Sequence, residues 1–532
     1  MSDAPPPTPV RRPPRSAPKG RSLLRSTSTV GANTLLSRIL GFVRDVVIAA
    51  TFGAGSQADA FFVAFRIPNL FRRLFAEGAF SQAFVPVLSA ERSQNGDEAV
   101  RDLAAHVAGA LSIVLAVFTV IGVVAAPLLV WMFAPGFHDQ GDKFDLTVQM
   151  LRICFPYLLF ISLTSLSAAI LNTYGRFAIP AFTPVLLNVC LIAATVLIAP
   201  RLAQPVLALA AGVFVAGIAQ LLFQLPFLLQ IGMLVRPRWS LAHAGMRKVA
   251  TLIVPALFGV SVTQINILVN TLIASFLAAG SVSWLYYSDR IVEFPLGVFG
   301  IALATVILPK LSREHASGDP RVFSQTLDWA LRLVCVLSIP AAVGIALLAG
   351  PMLCTLFQYG AFTVRDVDLA SASLMAFALG LPGFVGVKVL ATGYFSRQDM
   401  RTPVRIAAIA VLANLGINLL LVGSLAHAGL ALGTAGAALL NAGLLYKGLH
   451  KARVHRPEAG WRRLLLQVLV ANIAMVVFLL LLRGEMAQWF NAGAMRRALS
   501  LSALIGGAAL VYALVLLLVG VRPRDLLTPV RR

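Results

Sequence analysis

Long apolar runs interrupted by isolated charges dominate the chain. A helix needs about twenty residues to cross the hydrocarbon of a bilayer. Runs of that length predict about fourteen spans, at approximately 28–51, 58–88, 103–133, 146–172, 178–199, 205–233, 247–278, 281–309, 327–357, 366–394, 404–423, 426–446, 461–483 and 497–520. Two of these spans read as copies. One stretch runs from Ala54 to Ser89 and the other from Ala279 to Ser312. Both open on Ala-Gly-Ser, reach an Arg-Ile pair (Arg66-Ile67, Arg290-Ile291) and close on Pro-x-Leu-Ser. The Arg-to-Arg offset is 224 residues, which lays spans one to six over seven to twelve and leaves two spans over. A second echo, TYGRFAIPAFTP (Thr173–Pro184) against YFSRQDMRTP (Tyr394–Pro403), supports the same register.

These patterns predict an all-α polytopic membrane protein. It has two six-helix repeat lobes around a central cavity plus two extra C-terminal helices. The expected units are a basic, Pro-rich disordered tail at 1–21, a first lobe at 22–233, a second lobe at 234–450 and a final helix pair with its cytoplasmic end at 451–532. The tail has no apolar run and is no signal peptide. Repeats joined with equal topology place a transport site where they meet.

Composition agrees: 58% of the 532 residues are hydrophobic and only 12% charged, where a soluble domain has about 25%. The net charge of +22 does not indicate nucleic acid, because most Lys and Arg fall in short loops on one side of the spans, together with both termini. By the positive-inside rule that side is cytoplasmic. The opposite loops carry little beyond Lys143, Arg201, Arg365, Arg483, Arg496 and Arg497. The four cysteines and seven histidines show no metal-ligand spacing, and no metal or cofactor is expected.

The charges inside spans carry the chemistry, since an ionised side chain at the bilayer centre costs at least about 2.5–3.5 kcal/mol. Span one holds Ser37, Arg38, Arg44 and Asp45. Span two holds Asp59, Arg66, Asn69, Arg72, Arg73 and Glu77, and span eight holds Asp289, Arg290 and Glu293. At helical spacing Asp59, Arg66, Arg73 and Glu77 share one stripe, while Pro68 leaves the direction of Arg72 open. Mutual neutralisation that only locks helices together explains the acids. It does not explain the arginine excess, which suits a phosphate-bearing anion. Asp328 and Arg332 read as a local i, i+4 pair. No Walker-type phosphate loop is present, so energy for transport has to come from a gradient or the membrane potential.

The runs SRILGFVRD, ADAFFVAFRIPNLFRRLFAEGAFSQAFVP, SVSWLYYSDRIVEFP and FQYGAFT resemble the MurJ/MviN family, the lipid II flippases of the multidrug/oligosaccharidyl-lipid/polysaccharide exporter superfamily. The resemblance implies fourteen helices and a flippase, not an enzyme. It also implies a central cavity that takes lipid II, an undecaprenyl-diphosphate-linked sugar–pentapeptide, in the bacterial cytoplasmic membrane. On its motifs Ser37, Arg38, Arg44, Asp45, Asp59, Asn69, Arg72, Glu77, Arg290 and Glu293 line the cavity. It favours Arg72 over Arg73 and gives the last helix pair the lipid tail to hold. Coupling to H+, to Na+ or to the membrane potential stays open, and no sodium ligands are assigned. Other polyprenyl-diphosphate oligosaccharides, or a cation-coupled drug antiport, are the alternatives. A sugar transferase would need a larger outer loop.

Overall fold

The computed structural model describes residues 20–74, 79–239 and 244–522. Among them there are helices and no strands, in the order α1 (Gly20–Phe52), α2 (Ser56–Arg72), α3 (Ala79–Val124), α4 (Ala126–Phe133), α5 (Lys143–Cys154), α6 (Tyr157–Thr173), α7 (Ala178–Ala193) and α8 (Leu207–Gln230) in the first half. The second half has α9 (Ala244–Ser275), α10 (Ser281–Pro295), α11 (Ala302–Ala316), α12 (Pro320–Leu347), α13 (Ala349–Phe357), α14 (Val364–Leu379), α15 (Leu381–Phe395) and α16 (Arg401–Lys451). The chain ends with α17 (Trp461–Leu482), α18 (Met486–Asn491) and α19 (Ala494–Leu518).

Ten helical segments among the described residues are long and apolar enough to cross a bilayer. The charged α1 and the 17-residue α2 are not among them. Large apolar side chains point outward, with Leu420 81%, Leu481 76% and Leu518 84% exposed. Such a girdle suits hydrocarbon and would be a liability in water.

Several expected spans are interrupted, each for a local reason. The expected span 58–88 is helical to Arg72, takes a π turn at residues 73–74 and is helical again from Ala79. Its counterpart breaks in the same way: α10 ends at Pro295 and a π segment, Leu296–Ile301, leads into α11. Pro68 and Pro295 stand ahead of these two breaks, each withholding one backbone donor from its helix. In α16 the backbone reverses at Ala426 (φ 47°), between the expected spans 404–423 and 426–446. The Ala-Gly-Ser triplets of the two copies both become helix starts, with Gly55 and Gly280 as N-caps. Gly280 has φ 101°, a conformation open chiefly to glycine.

α1 lies along α7, α2 along α5, and α10 along α14. The halves meet where α2 faces α10. There Phe62 stacks on Tyr286 with ring centroids 4.0 Å apart and meets Tyr287 edge-on at 5.6 Å. α17 and α19 pack on each other and on α12, with α19 also against α13. Phe52, at the end of α1, reaches the far face of the bundle, opposite the near face where α1 starts.

Candidate functional site between the two halves

A buried carboxylate joins the halves about two turns before the end of α1. Asp45 is fully buried, and its neighbour Arg44 is only 7% exposed. Arg44 donates to Asp45 Oδ1 from Nε (2.9 Å) and Nη2 (2.6 Å). From α10, Arg290 Nε donates to Asp45 Oδ2 at 2.6 Å, and the Tyr286 hydroxyl donates to Oδ1 at 3.0 Å. Arg44 also reaches Asn188 Oδ1 on α7 (3.1 Å), and Asn188 Nδ2 returns to the Ser37 carbonyl at 3.0 Å. Arg290 Nη1 pairs in turn with Glu293 Oε2 at 2.7 Å. One carboxylate thus holds a guanidinium from each half.

Around this centre the polar groups reach open space. Arg38 of α1 is exposed, and so are Asp289 and Glu293, although those two sit in a helical segment long and apolar enough to cross a bilayer. The Arg38 guanidinium lies against Gly297, across from its own helix, where any added Cβ would clash with it. Arg66 Nη1 donates to Thr271 Oγ1 of α9 at 2.6 Å, another bond between halves. At the end of α2, Arg72 Nε donates to Asn69 Oδ1 at 2.8 Å. Glu77 lies outside the described residues, and so does any pairing it makes with Arg73.

Asp59, placed by its sequence on the same stripe as Arg66, sits at the far face and has a different set of partners. It is 1% exposed and accepts from the Gly280 backbone N–H (2.7 Å to Oδ2) and from the Ser283 N–H and hydroxyl (2.9 and 2.6 Å to Oδ1). A carboxylate on the first N–H groups of α10 is the favoured arrangement at a helix N-terminus. Lys143 Nζ completes the set at 2.9 Å from Oδ2, while also meeting Gln140 Oε1 at 2.9 Å and the face of Phe137 at 3.9 Å. Every acceptor position of Asp59 that reaches protein is therefore used for closing the far face.

The FQYGAFT loop adds a second far-face contact. The Ala361 N–H donates to the Ala50 carbonyl at 2.8 Å. Gly360 (φ 54°) approaches so closely that a Cβ there would stand 2.2 Å from Ala50 O.

The polar groups missed by sequence reading are Tyr286, Asn188, Thr271, Ser283 and Lys143. An isolated Asn in the apolar run LLNVC was a signal for Asn188; a Thr or Tyr in such a run is not. Asp328, as expected, pairs with Arg332 (2.7 Å) and also accepts from Trp461 Nε1 at 2.7 Å. In the second half, Asn414 Nδ2 donates to Asn266 and Asn270, and Asn418 Nδ2 to Asn270. No cluster of three His, Cys, Asp or Glu suited to a metal exists among the described residues.

Duplicated helices in a lipid-facing bundle, with arginines and carboxylates gathered between the halves and some of them open to solvent, define a polytopic membrane transporter. Residues 48–521 match the family described as lipid II flippase MurJ, and the chain belongs to it. It is 48% identical over 513 residues to a probable lipid II flippase MurJ of Vibrio cholerae, covering 95% of this chain and 98% of that protein. It is 44% identical over 458 residues to the lipid II flippase MurJ of Burkholderia cenocepacia, covering 85% and 89%. A solved lipid II flippase MurJ in an inward closed conformation superposes with a TM-score of 0.75 at 26% identity, over 92% of this chain and 97% of that one. An inward-facing multidrug resistance MATE family transporter shares the fold, with a TM-score of 0.65 at 14% identity, over 79% and 95%.

Proposed function

We propose that this protein carries lipid II from the inner to the outer leaflet of the bacterial cytoplasmic membrane by alternating access, for peptidoglycan synthesis. Residues 22–233 and 234–450 are the two moving lobes, both termini are cytoplasmic, and the far face is the outer face. The observation that carries this reading is the meeting of Arg44 and Arg290, one from each half, on Asp45.

Asp45 acts as an internal stand-in for the substrate's diphosphate. Guanidinium groups bind phosphate in a planar, two-point fashion. An incoming diphosphate therefore competes for Arg44 and Arg290 and draws Arg38 and Arg72 to the same anion. Ser37 and Asn69 offer polar contacts to the headgroup. Asp289, Glu293 and Glu77 keep the unloaded cleft close to neutral, so an empty return does not carry bare arginines against the membrane potential. Closure of the far face by Asp59, Lys143 and the Gly360 loop defines one end state. Its contacts break to release the headgroup outward. The last helix pair, in 451–532, holds the polyprenyl tail in the bilayer while the headgroup crosses.

The experiment is a leaflet-accessibility assay of lipid II in cells depleted of their own flippase and supplied with this protein. Restored outer-leaflet exposure supports the reading. Stable, membrane-inserted protein with no restoration overturns it.

A further inference from the structure

Of the arginines that belong neither to the interlobe cluster nor to the basic loops of the near face, three stand together. Arg483, Arg496 and Arg497 flank α18. Arg497 Nη1 donates to the Gln358 carbonyl at 3.3 Å, and the loop it holds touches Ala50 at the far face, so these arginines stand on the far face too. The far-face loops are otherwise poor in cations, as membrane insertion favours. Arg496 and Arg497 also fall in the first turn of α19, where the helix dipole disfavours positive charge. Some interaction has to offset both penalties.

The chain itself supplies only part of it. Arg497 is 6% exposed and donates to the carbonyls of Trp489 and Phe490, both at 2.8 Å, besides Cys354 and Gln358. Arg483 Nη1 reaches the Leu347 carbonyl at 3.1 Å. These carbonyls orient the guanidiniums without balancing their charge. Among the described residues no carboxylate pairs with any of the three, and Glu485 nearby is exposed and forms no ion pair. The contrast with Arg44 and Arg290, which share Asp45, is plain.

The three arginines line one cavity of about 720 Å³. Gln488 and Ser500 stand with them on its polar side, and Phe478, Leu482 and Leu504 form its apolar side. Leu482 is 60% exposed and the neighbouring Met495 73%, so the apolar side is continuous with the lipid-facing surface. Trp489 sits at the same level, as aromatic residues do at a membrane interface.

We infer that this cavity binds the headgroup phosphate of an anionic phospholipid from the leaflet at the far face, with its acyl chains along Leu482 and Leu504. The occupant is a resident membrane lipid: the three guanidiniums that would take its phosphate lie in 478–504, at the far-face end of the helix pair given the polyprenyl tail, and none of the lining comes from the cleft that takes the cargo's diphosphate. The inference needs only a membrane and does not depend on the flippase reading.

The test is native mass spectrometry of the purified full-length protein, titrated separately with phosphatidylglycerol, phosphatidylcholine and undecaprenyl phosphate. Wild type retains phosphatidylglycerol over phosphatidylcholine. Arg496→Gln lowers phosphatidylglycerol retention about fivefold, and Arg483→Gln with Arg496→Gln lowers it about twentyfold, as expected for basic residues near a lipid surface. Arg496→Lys keeps most of it. Arg496 forms no hydrogen bond among the described residues, so its variant carries the test if Arg483→Gln misfolds. Unchanged phosphatidylglycerol retention in Arg496→Gln overturns the inference. So does preferential, arginine-dependent retention of undecaprenyl phosphate, which would make this a cargo site.

Discussion

Asp45 is where charge balance and function meet. It accepts four hydrogen bonds from three residues in two halves of the molecule while fully buried, so removing it leaves two guanidiniums facing each other. Breaking a buried ion pair from one side costs about 3–5 kcal/mol. Arg290, with a side chain 31% exposed, recovers part of that through water. Asp45→Ala is therefore expected to lower thermal stability in detergent by an amount near the lower end of that range, about 3 kcal/mol. Alanine at Arg38, Arg44, Arg72 or Arg290 is expected to abolish growth complementation while leaving membrane insertion intact. Lysine at Arg44 rescues only in part, since it keeps charge and loses the fork. Full complementation by all four alanine variants at native expression would sink the anion-cleft account. These charges were legible in the sequence because a bilayer makes every charge conspicuous. Tyr286 and Thr271 were not, because each can sit in an apolar helix at little cost and only the fold shows what it faces; Asn188 stood out in its apolar run, but its partner did not.

Helix starts and helix breaks govern the far face. The N-terminus of α10 is held by Asp59 of α2, so whatever separates the halves must first strip a helix of its cap. Asp59→Asn loses the ion pair with Lys143 and the charge on the helix dipole. It is expected to shift the population toward far-face opening. Gly360→Val has the same expected effect for a steric reason, as a side chain there collides with Ala50 O. Ser281, 1% exposed in this closed arrangement, offers a reporter. Ser281→Cys should be slow to react with a membrane-impermeant thiol reagent in the parent and several-fold faster beside either substitution. Equal rates would show that neither contact holds the gate. The repeated Ala-Gly-Ser motif and the two copies were readable from sequence alone, and both triplets become helix starts. The interruptions were not: a proline permits a π turn or a kink, and packing chooses between them. Asp59 likewise belonged to a stripe by spacing, yet its far-face partners come from 84 to 224 residues away.

On the scale of the whole molecule, the proposed cycle moves two halves against each other while a long apolar tail stays in the bilayer. Deleting the segment from 451 onward is expected to abolish transport in a protein that still inserts, and flipping by a stable truncated form would remove the tail-holding role. The energetics follow from charge. A cytoplasm-negative potential drives an anion outward by about 2.3 kcal/mol per elementary charge per 100 mV, and a diphosphate with free carboxylates carries several charges. Collapsing the potential with the proton gradient clamped should stall flipping. Undiminished flipping would point to proton or sodium coupling through the cleft carboxylates. The most direct test of the central claim is flipping of lipid II in proteoliposomes by the purified protein and by an Arg44→Ala, Arg290→Ala variant of matched fold and orientation. The account predicts transport by the parent and background transport by the double variant; parental rates in the double variant would contradict it.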